Sequence, residues 1–269
     1  MKIYPFRAIR PLPELACEVA SLPYDVVNRK EAEDLARGLP NSFLHVVRSE
    51  IDLPNILDPY APEVYIKARE NLDRMEREGI LLQEDTPSLY VYRQTMEGRA
   101  QYGLVCCVRA HDYFEGLIKK HELTRADKEE DRLRHVLVTN CNTGPVFLTY
   151  RDQGQYEIFA KACNQMPLYD FIAVDGIGHT VWKVPSEIVS SVIESFESLP
   201  CAYIADGHHR SAAGARAAQV RAQSNPHHTG EEEYTRFMAI LFPADHLKIF
   251  DYNRVLKDLN GHSADELMN

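Results

Sequence analysis

No apolar run in this sequence approaches the roughly 20 residues that a membrane helix needs, and the start, Met1-Lys2-Ile3-Tyr4-Pro5-Phe6-Arg7, lacks the apolar core of a signal peptide. A cytoplasmic protein with no membrane partner is therefore expected. Positive charge is also scarce. The 269 residues carry a net charge of -10, which argues against a nucleic-acid surface, so any anion site must be a local basic pocket in an acidic body. The six cysteines form no C-x-x-C pair, and free buried thiols are expected, with Cys106 and Cys107 on opposite faces of a strand. There is no G-x-x-x-x-G-K-[ST] segment, no kinase catalytic loop and no dinucleotide fingerprint. Phosphate chemistry here would not use the common nucleotide folds. Repeats and low-complexity tracts are absent as well.

What is present is ordinary for a globular protein: 45% hydrophobic and 26% charged residues, enough for one large core or two small ones. Residues 3–10 read as a strand broken by prolines. Asn28, with Glu31 three residues on, opens a helix reaching about Arg37. Phe43-Leu44-His45-Val46-Val47 reads as a buried strand, with His45 as a satisfied core histidine. Pro62 and Gly79 bracket a charged helix. Strands 89–94 and 101–109 flank a turn at Met96-Glu97-Gly98-Arg99, and the region of about 60–110 reads as a charged helix and hairpin inserted in a single catalytic region, 1–269.

Further on, the pattern predicts a helix over 126–140, a strand over 145–150 and a helix over 156–165. A second hairpin spans 171–183, and Pro185 opens a helix ending near Leu199. A polar loop over 224–233, carrying His227-His228, precedes a buried strand over 237–241. Helices and strands mix without regular alternation, so the expected fold class is α+β, a mixed sheet with flanking helices. Ser263-Ala264-Asp265-Glu266 is a capping box close to Asn269, from which the parent chain is expected to continue.

The most informative segment is Cys201-Ala202-Tyr203-Ile204-Ala205 running into Asp206-Gly207-His208-His209-Arg210-Ser211, followed by an alanine-rich stretch to Gln223. It reads as a strand, a glycine turn and a helix whose first turn holds two imidazoles, a guanidinium and a hydroxyl. A helix start offers unpaired N–H groups and partial positive charge, so it attracts phosphate. Arg210 adds bidentate contact.

A second constellation, Lys119-Lys120-His121-Glu122-Leu123-Thr124-Arg125, leads into the helix over 126–140. At about 100° per residue, Lys128, Arg132, His135 and Thr139 share a face. Leu133, Val136 and Leu137 lie roughly opposite. His121-Glu122 lacks the second histidine of a helical zinc motif, and Glu122 is better cast as a base or a magnesium ligand. Tyr24 and Asp25 add candidate pocket residues.

These segments carry a resemblance. Leu22-Pro23-Tyr24-Asp25-Val26-Val27, Lys120-His121-Glu122-Leu123-Thr124 with Lys128, Asp131-Arg132 and His135, and Ala205-Asp206-Gly207-His208-His209-Arg210 resemble the uncharacterised DUF1015 family of bacteria and archaea. That family is similar in its glycine–histidine–arginine turn to the ParB/sulfiredoxin fold, on which free-serine kinases are built, including pyrophosphate-dependent ones. The resemblance implies a ParB/sulfiredoxin-like core with insertions and a phosphotransferase acting on the hydroxyl of free L-serine or a similar small hydroxyl compound. The donor would be pyrophosphate or a nucleotide, ATP or ADP, with magnesium as cofactor.

On that reading Gly207, His208, His209, Arg210 and Ser211 hold a phosphate. Lys119, His121, Arg125, Lys128, Arg132 and His135 neutralise the remaining charge. Glu122 and Asp206 are candidates for the base or for magnesium, Glu122 first as base because Asp206 adjoins the phosphates and suits metal or turn duty, and His209 joins them as a catalytic candidate. Tyr24, Asp25 and Thr124 are candidates for substrate contact. The compact basic pocket, with no purine slot legible in the sequence, favours pyrophosphate. A non-catalytic anion-binding regulator and a small-molecule phosphatase are the alternatives.

Overall fold

The computed structural model describes residues 1–251, 253 and 255–268. Its strands are β1 (Ile3–Tyr4), β2 (Ile9–Pro11), β3 (Leu81–Gln83), β4 (Tyr90–Met96), β5 (Arg99–Arg109), β6 (Ile118–Lys119), β7 (Val146–Tyr150), β8 (Tyr169–Ile172), β9 (Gly178–Lys183), β10 (Ala202–Asp206) and β11 (Arg236–Pro243). The helices are α1 (Ala16–Val19), α2 (Arg29–Ala36), α3 (Leu44–Val47), α4 (Pro62–Arg77), α5 (Ala110–Phe114), α6 (Ala126–Thr139), α7 (Gln155–Phe159), α8 (Ser186–Glu197), α9 (His208–Ser224) and α10 (Ala264–Met268). Nine strands form one sheet in the order β6-β10-β7-β11-β5-β4-β9-β8, with β1 paired to β5 beyond the end of β4. The β10–β6 and β11–β7 pairs are parallel and the others antiparallel. The fold is α+β with a mixed sheet and flanking helices, and the hairpin marked as part of an insertion supplies β4 and β5 at the middle of the sheet.

Alternation along β11 sets the layers. Phe237, Ala239 and Leu241 enter the main core with Phe159, Val192 and Phe196 from α7 and α8. Met238, Ile240 and Phe242 point to the other face, where they line a cavity of about 930 Å³. Cys106 and Cys107 divide in the same way, the first fully buried in the core and the second on the cavity wall.

The alanines of α9 serve two neighbours. Ala212, Ala215 and Ala218 join the main core, while Ala213 and Ala217 meet Leu133, Val136 and Leu137 of α6. Gly214 lets α9 lie closer to β11 than a side chain permits: a Cβ there would sit 2.9 Å from the Phe237 Cβ. Helix α6 packs on α4 and α4 on α3, around a second core of Val19, Val46, Leu72 and Met75. The cavity lies between this helical layer and the free face of the sheet, with Ala16, Phe43, Val47 and Leu72 on one wall and Phe147, Ile240 and Phe242 on the other.

Two expectations need correction. Residues 44–47 form α3, not a strand. A short apolar run has no periodicity long enough to separate the two, and here Val19 already accepts the Phe43 N–H while Phe43 accepts from Val46 and Val47. The helix expected over 156–165 is α-helical only to Phe159 and then tightens to a 3₁₀ turn over Ala160–Asn164. The capping boxes hold: Asn28 and Glu31 exchange side-chain and backbone hydrogen bonds, as do Ser263 and Glu266.

Candidate anion site at the start of helix α9

Strand β10 ends at Asp206 after a register shift against β7, and Gly207 then turns the chain into α9 with φ +86°. That left-handed conformation is cheap only for glycine. No side chain caps the helix, so the amides of its first turn and the positive end of its dipole are left for another partner. Asp206 is not the cap. Its Oδ2 accepts from Arg210 Nη2 at 2.6 Å.

Arg210 anchors one side of the site. Its Nη1 donates to the Pro145 carbonyl at 2.6 Å, Asp25 lies 3.7 Å from Nη2, and its Nε is buried without a hydrogen bond. Asp206 and Arg210 both line the large cavity, together with Tyr24, Arg132 and His135. The Arg132 guanidinium sits 4.0 Å from the Tyr24 ring centre and is held by Asp131 at 2.8 and 2.9 Å. Burial pushes the Tyr24 phenol up to about 12, so Tyr24 stays neutral and can donate a hydrogen bond.

The two histidines face elsewhere. His208 is 4% exposed, its ring edge-to-face with His121 at 4.5 Å, and Glu122 approaches its Nδ1 at 3.2 Å. Burial, then the neighbouring His121, pushes the His208 pKa down. His209 Nε2 accepts the Arg125 amide at 3.2 Å. Neither ring lines the cavity. The start of α9 therefore presents two chemically different sides: Arg210 with Asp206 on the cavity, and His208 with His121 and Glu122 outside it.

Several predicted roles change with these positions. The Ser211 hydroxyl is buried and donates to the Gly207 carbonyl at 3.0 Å, so it is spent within its own helix. His135 is not a cation. It is buried, Nε2 donates to the Val46 carbonyl at 3.0 Å, and desolvation, aided by Arg132, pushes its pKa down to about 3. Thr139 donates to the His135 carbonyl at 2.6 Å. Arg125 pairs with Asp127 at 2.7 Å, the Thr124 hydroxyl donates to Glu129 at 2.8 Å, and Lys119 is exposed on β6. Lys128 turns to the Tyr60 hydroxyl at 2.8 Å, in a smaller second cavity that Tyr24, Arg132 and His135 also line. His45 is satisfied, bridging Asp52 at 2.9 Å and the Leu39 carbonyl at 3.2 Å. His228 is held in its loop by Tyr234 and Glu232.

The sequence reading missed the segment 140–145. Asn140 ends α6 in the left-handed conformation, φ +56°. The following Cys141-Asn142-Thr143-Gly144-Pro145 lines the cavity. Pro145 supplies the carbonyl that fixes Arg210, and a Cβ on Gly144 would lie 3.7 Å from Arg210 Cδ. The Asn, Thr, Gly and Pro run was a legible loop signal. Also missed were Arg48, Glu50 and Tyr60 around the smaller cavity.

A family model described as "Protein of unknown function (DUF1015)" matches residues 3–269. The chain belongs to this DUF1015 family. No curated protein and no solved structure matches it. Parts of the three segments that carried the resemblance meet at one end of the cavity: Tyr24, Arg132 from the middle of α6, and Asp206 with Arg210 at the start of α9, with Asp25 3.7 Å from Arg210. His121 and Glu122 lie on the His208 side, outside the cavity.

Among the described residues, no three His, Cys, Asp or Glu side chains gather to form a cation cage. Asp206 and Glu122 are hard oxygen donors at the helix start. They lie on different sides of it, each beside a basic partner, so a magnesium ion would find one carboxylate at a time and take the rest of its shell from phosphate oxygens and water. Among the described residues no helix is long and apolar enough to cross a membrane.

Proposed function

We propose that this DUF1015 chain is a phosphotransferase that binds the phosphates of its donor at the start of α9 and transfers a phosphoryl group to the hydroxyl of free L-serine. The reading is supported above all by one observation: an uncapped, glycine-led helix start with Arg210 and Asp206 in the wall of a cavity of about 930 Å³. Amides at such an end bind phosphate oxygens without further help, and Arg210 adds fixed positive charge. Phosphoryl transfer asks the protein mainly for charge neutralisation, alignment and a group to take the acceptor proton. Asp206 is the preferred base because it shares the cavity with Arg210, whereas Glu122 lies on the His208 side. The serine hydroxyl gives its proton to the Asp206 carboxylate, its oxygen bonds to phosphorus, and the bond to the bridging oxygen breaks. Orthophosphate leaves from pyrophosphate, or a shortened nucleotide from ATP or ADP.

Magnesium, held by Asp206 or Glu122 with phosphate oxygens, would neutralise charge on the transferred group. The cavity extends past the polar end along Tyr92, Phe171 and Phe242, which gives a nucleoside the apolar room that the sequence did not display.

The test is a phosphorus NMR screen of serine and magnesium against pyrophosphate, ATP and ADP. Phosphoserine is the expected product, and its absence with every donor refutes the kinase. Arg210→Ala should weaken phosphate-bearing ligands by roughly 10- to 100-fold, the worth of a charge-assisted hydrogen bond. A non-catalytic anion-binding regulator is the second reading, favoured because both carboxylates already face a basic partner, Asp206 with Arg210 and Glu122 with His208. It predicts tight phosphate binding, no turnover, and no effect of Glu122→Gln on affinity.

A further inference from the structure

We infer that the smaller cavity beside Arg132 holds the ammonium and carboxylate of a free α-amino acid, making it the acceptor subsite of the reaction proposed above, on which this inference rests. Its volume is about 170 Å³. At about 30 Å³ per water this equals roughly six waters, the bulk of a small amino acid and far less than a nucleoside.

Its charges are arranged in two unfinished halves. Glu50 is 4% exposed and ion-paired with Arg48, Nη2 to Oε1 at 3.0 Å, yet among the described residues that buried oxygen accepts no hydrogen bond. A buried carboxylate oxygen in that state calls for a donor, and an ammonium brings three. On the other half, Lys128 donates to the Tyr60 hydroxyl at 2.8 Å and forms no ion pair with a carboxylate among the described residues. Arg48 Nε is buried as well and has no hydrogen-bond partner among the described residues. Lys128, the Tyr60 O–H and Arg48 Nε together offer a ligand carboxylate one free cation and two further donors.

Two of the three basic groups are already matched, Arg48 by Glu50 and Arg132 by Asp131. An anion alone would meet Lys128 but leave the Glu50 oxygen without a donor, whereas the ammonium of a zwitterion supplies that donor as well. Tyr24, Val47, Arg132 and His135 line both cavities. An amino acid seated by its two charged groups can therefore direct its side-chain hydroxyl past the Tyr24–Arg132 pair toward the phosphate end.

The experiment is calorimetric titration of the full chain with L-serine, ethanolamine (no carboxylate) and 3-hydroxypropionate (no ammonium), and with pyrophosphate as the reference ligand. L-Serine should bind, and each truncated ligand should bind roughly tenfold or more weakly. Glu50→Gln and Lys128→Met should each weaken L-serine by a similar factor and leave pyrophosphate affinity within about twofold, with thermal melting reporting the fold. If Glu50→Gln does not fold, Lys128→Met and the ligand series still decide. Equal binding of a truncated ligand, no binding of L-serine, or unchanged L-serine affinity in Lys128→Met overturns the subsite. Binding of L-serine as expected with no phosphoserine formed would instead overturn the phosphotransferase while leaving the subsite standing.

Discussion

Replacing Gly207 by alanine isolates the turn on which the proposed phosphate site depends. The residue sits at φ +86°, where an L-residue costs about 1–2 kcal/mol. The new Cβ would lie 3.1 Å from both Cζ and Nε of Arg210. That guanidinium has little freedom to retreat, because Pro145 and Asp206 hold it at 2.6 Å on two sides. The expected loss is therefore about 1–3 kcal/mol, or a melting temperature lower by roughly 3–10 °C for a chain of this size. Pyrophosphate affinity should fall by roughly tenfold or more as Arg210 is displaced. Gly79→Ala is the control. Its φ is +71°, but a Cβ there meets nothing within 4 Å, so it carries the backbone strain without touching Arg210. Urea unfolding and calorimetric titration of both variants check the argument. If Gly207→Ala costs no more stability than Gly79→Ala and binds pyrophosphate as the wild type does, the coupling of this turn to an anion site is refuted.

The buried His135 gives a pH dependence. Its pKa is pushed down to about 3 in the folded chain, against about 6.5 unfolded, so below 6.5 the unfolded state binds the extra proton. Stability should be flat in this respect above pH 6.5 and fall by up to about 1.4 kcal/mol per unit as pH drops toward 3. His179 and His208, also lowered by burial, act with the same sign. His135→Gln can keep the hydrogen bond to Val46 without titrating, so chemical denaturation between pH 4 and 6 should show a shallower slope; an unchanged slope counts against the assignment. Gly214→Ala should also run against helix propensity. Alanine normally gains about 1 kcal/mol over glycine within a helix, yet here its Cβ would meet the Phe237 Cβ at 2.9 Å. Thermal melting should show destabilisation of about 1–3 kcal/mol, and a stabilised variant would show that α9 and β11 are not so close.

Much of the fold was legible because long elements repeat their pattern enough times to be read. Helices α4, α6, α8 and α9 each run 12 residues or more, and the β4–β5 hairpin is marked by its Gly98 turn. Helix α3 was not legible. Its identity rests on contacts distant in sequence, Val19 at its start, and Asn71, whose side chain donates to the His45 carbonyl at 2.7 Å. Sheet order was hidden for a related reason. Strand β11 comes last in the sheet's chain order yet lies between β5 and β7, and no local spacing encodes that placement.

The site shows where reading along a chain misleads. His208, His209 and Arg210 look like one basic cluster because they are adjacent, but adjacent residues on a helix point about 100° apart and do not share a face. The three side chains accordingly reach three neighbourhoods: His121 and Glu122, the Arg125 amide, and the cavity. The residues spaced by three and four did stay together. Lys128, Arg132 and His135 all line the smaller cavity, and Arg132 and His135 the larger as well. What spacing could not tell was charge. Asp131, one position from the stripe, is buried and takes up Arg132, while Tyr60 and not a carboxylate meets Lys128. Lys128 thus lines only the small cavity, while the guanidinium of Arg132, fixed by Asp131, lines both. Two cavities that share Tyr24 and Arg132 in their walls would, on the function proposed, keep the polyanion and the zwitterion in separate seats until one atom of each meets.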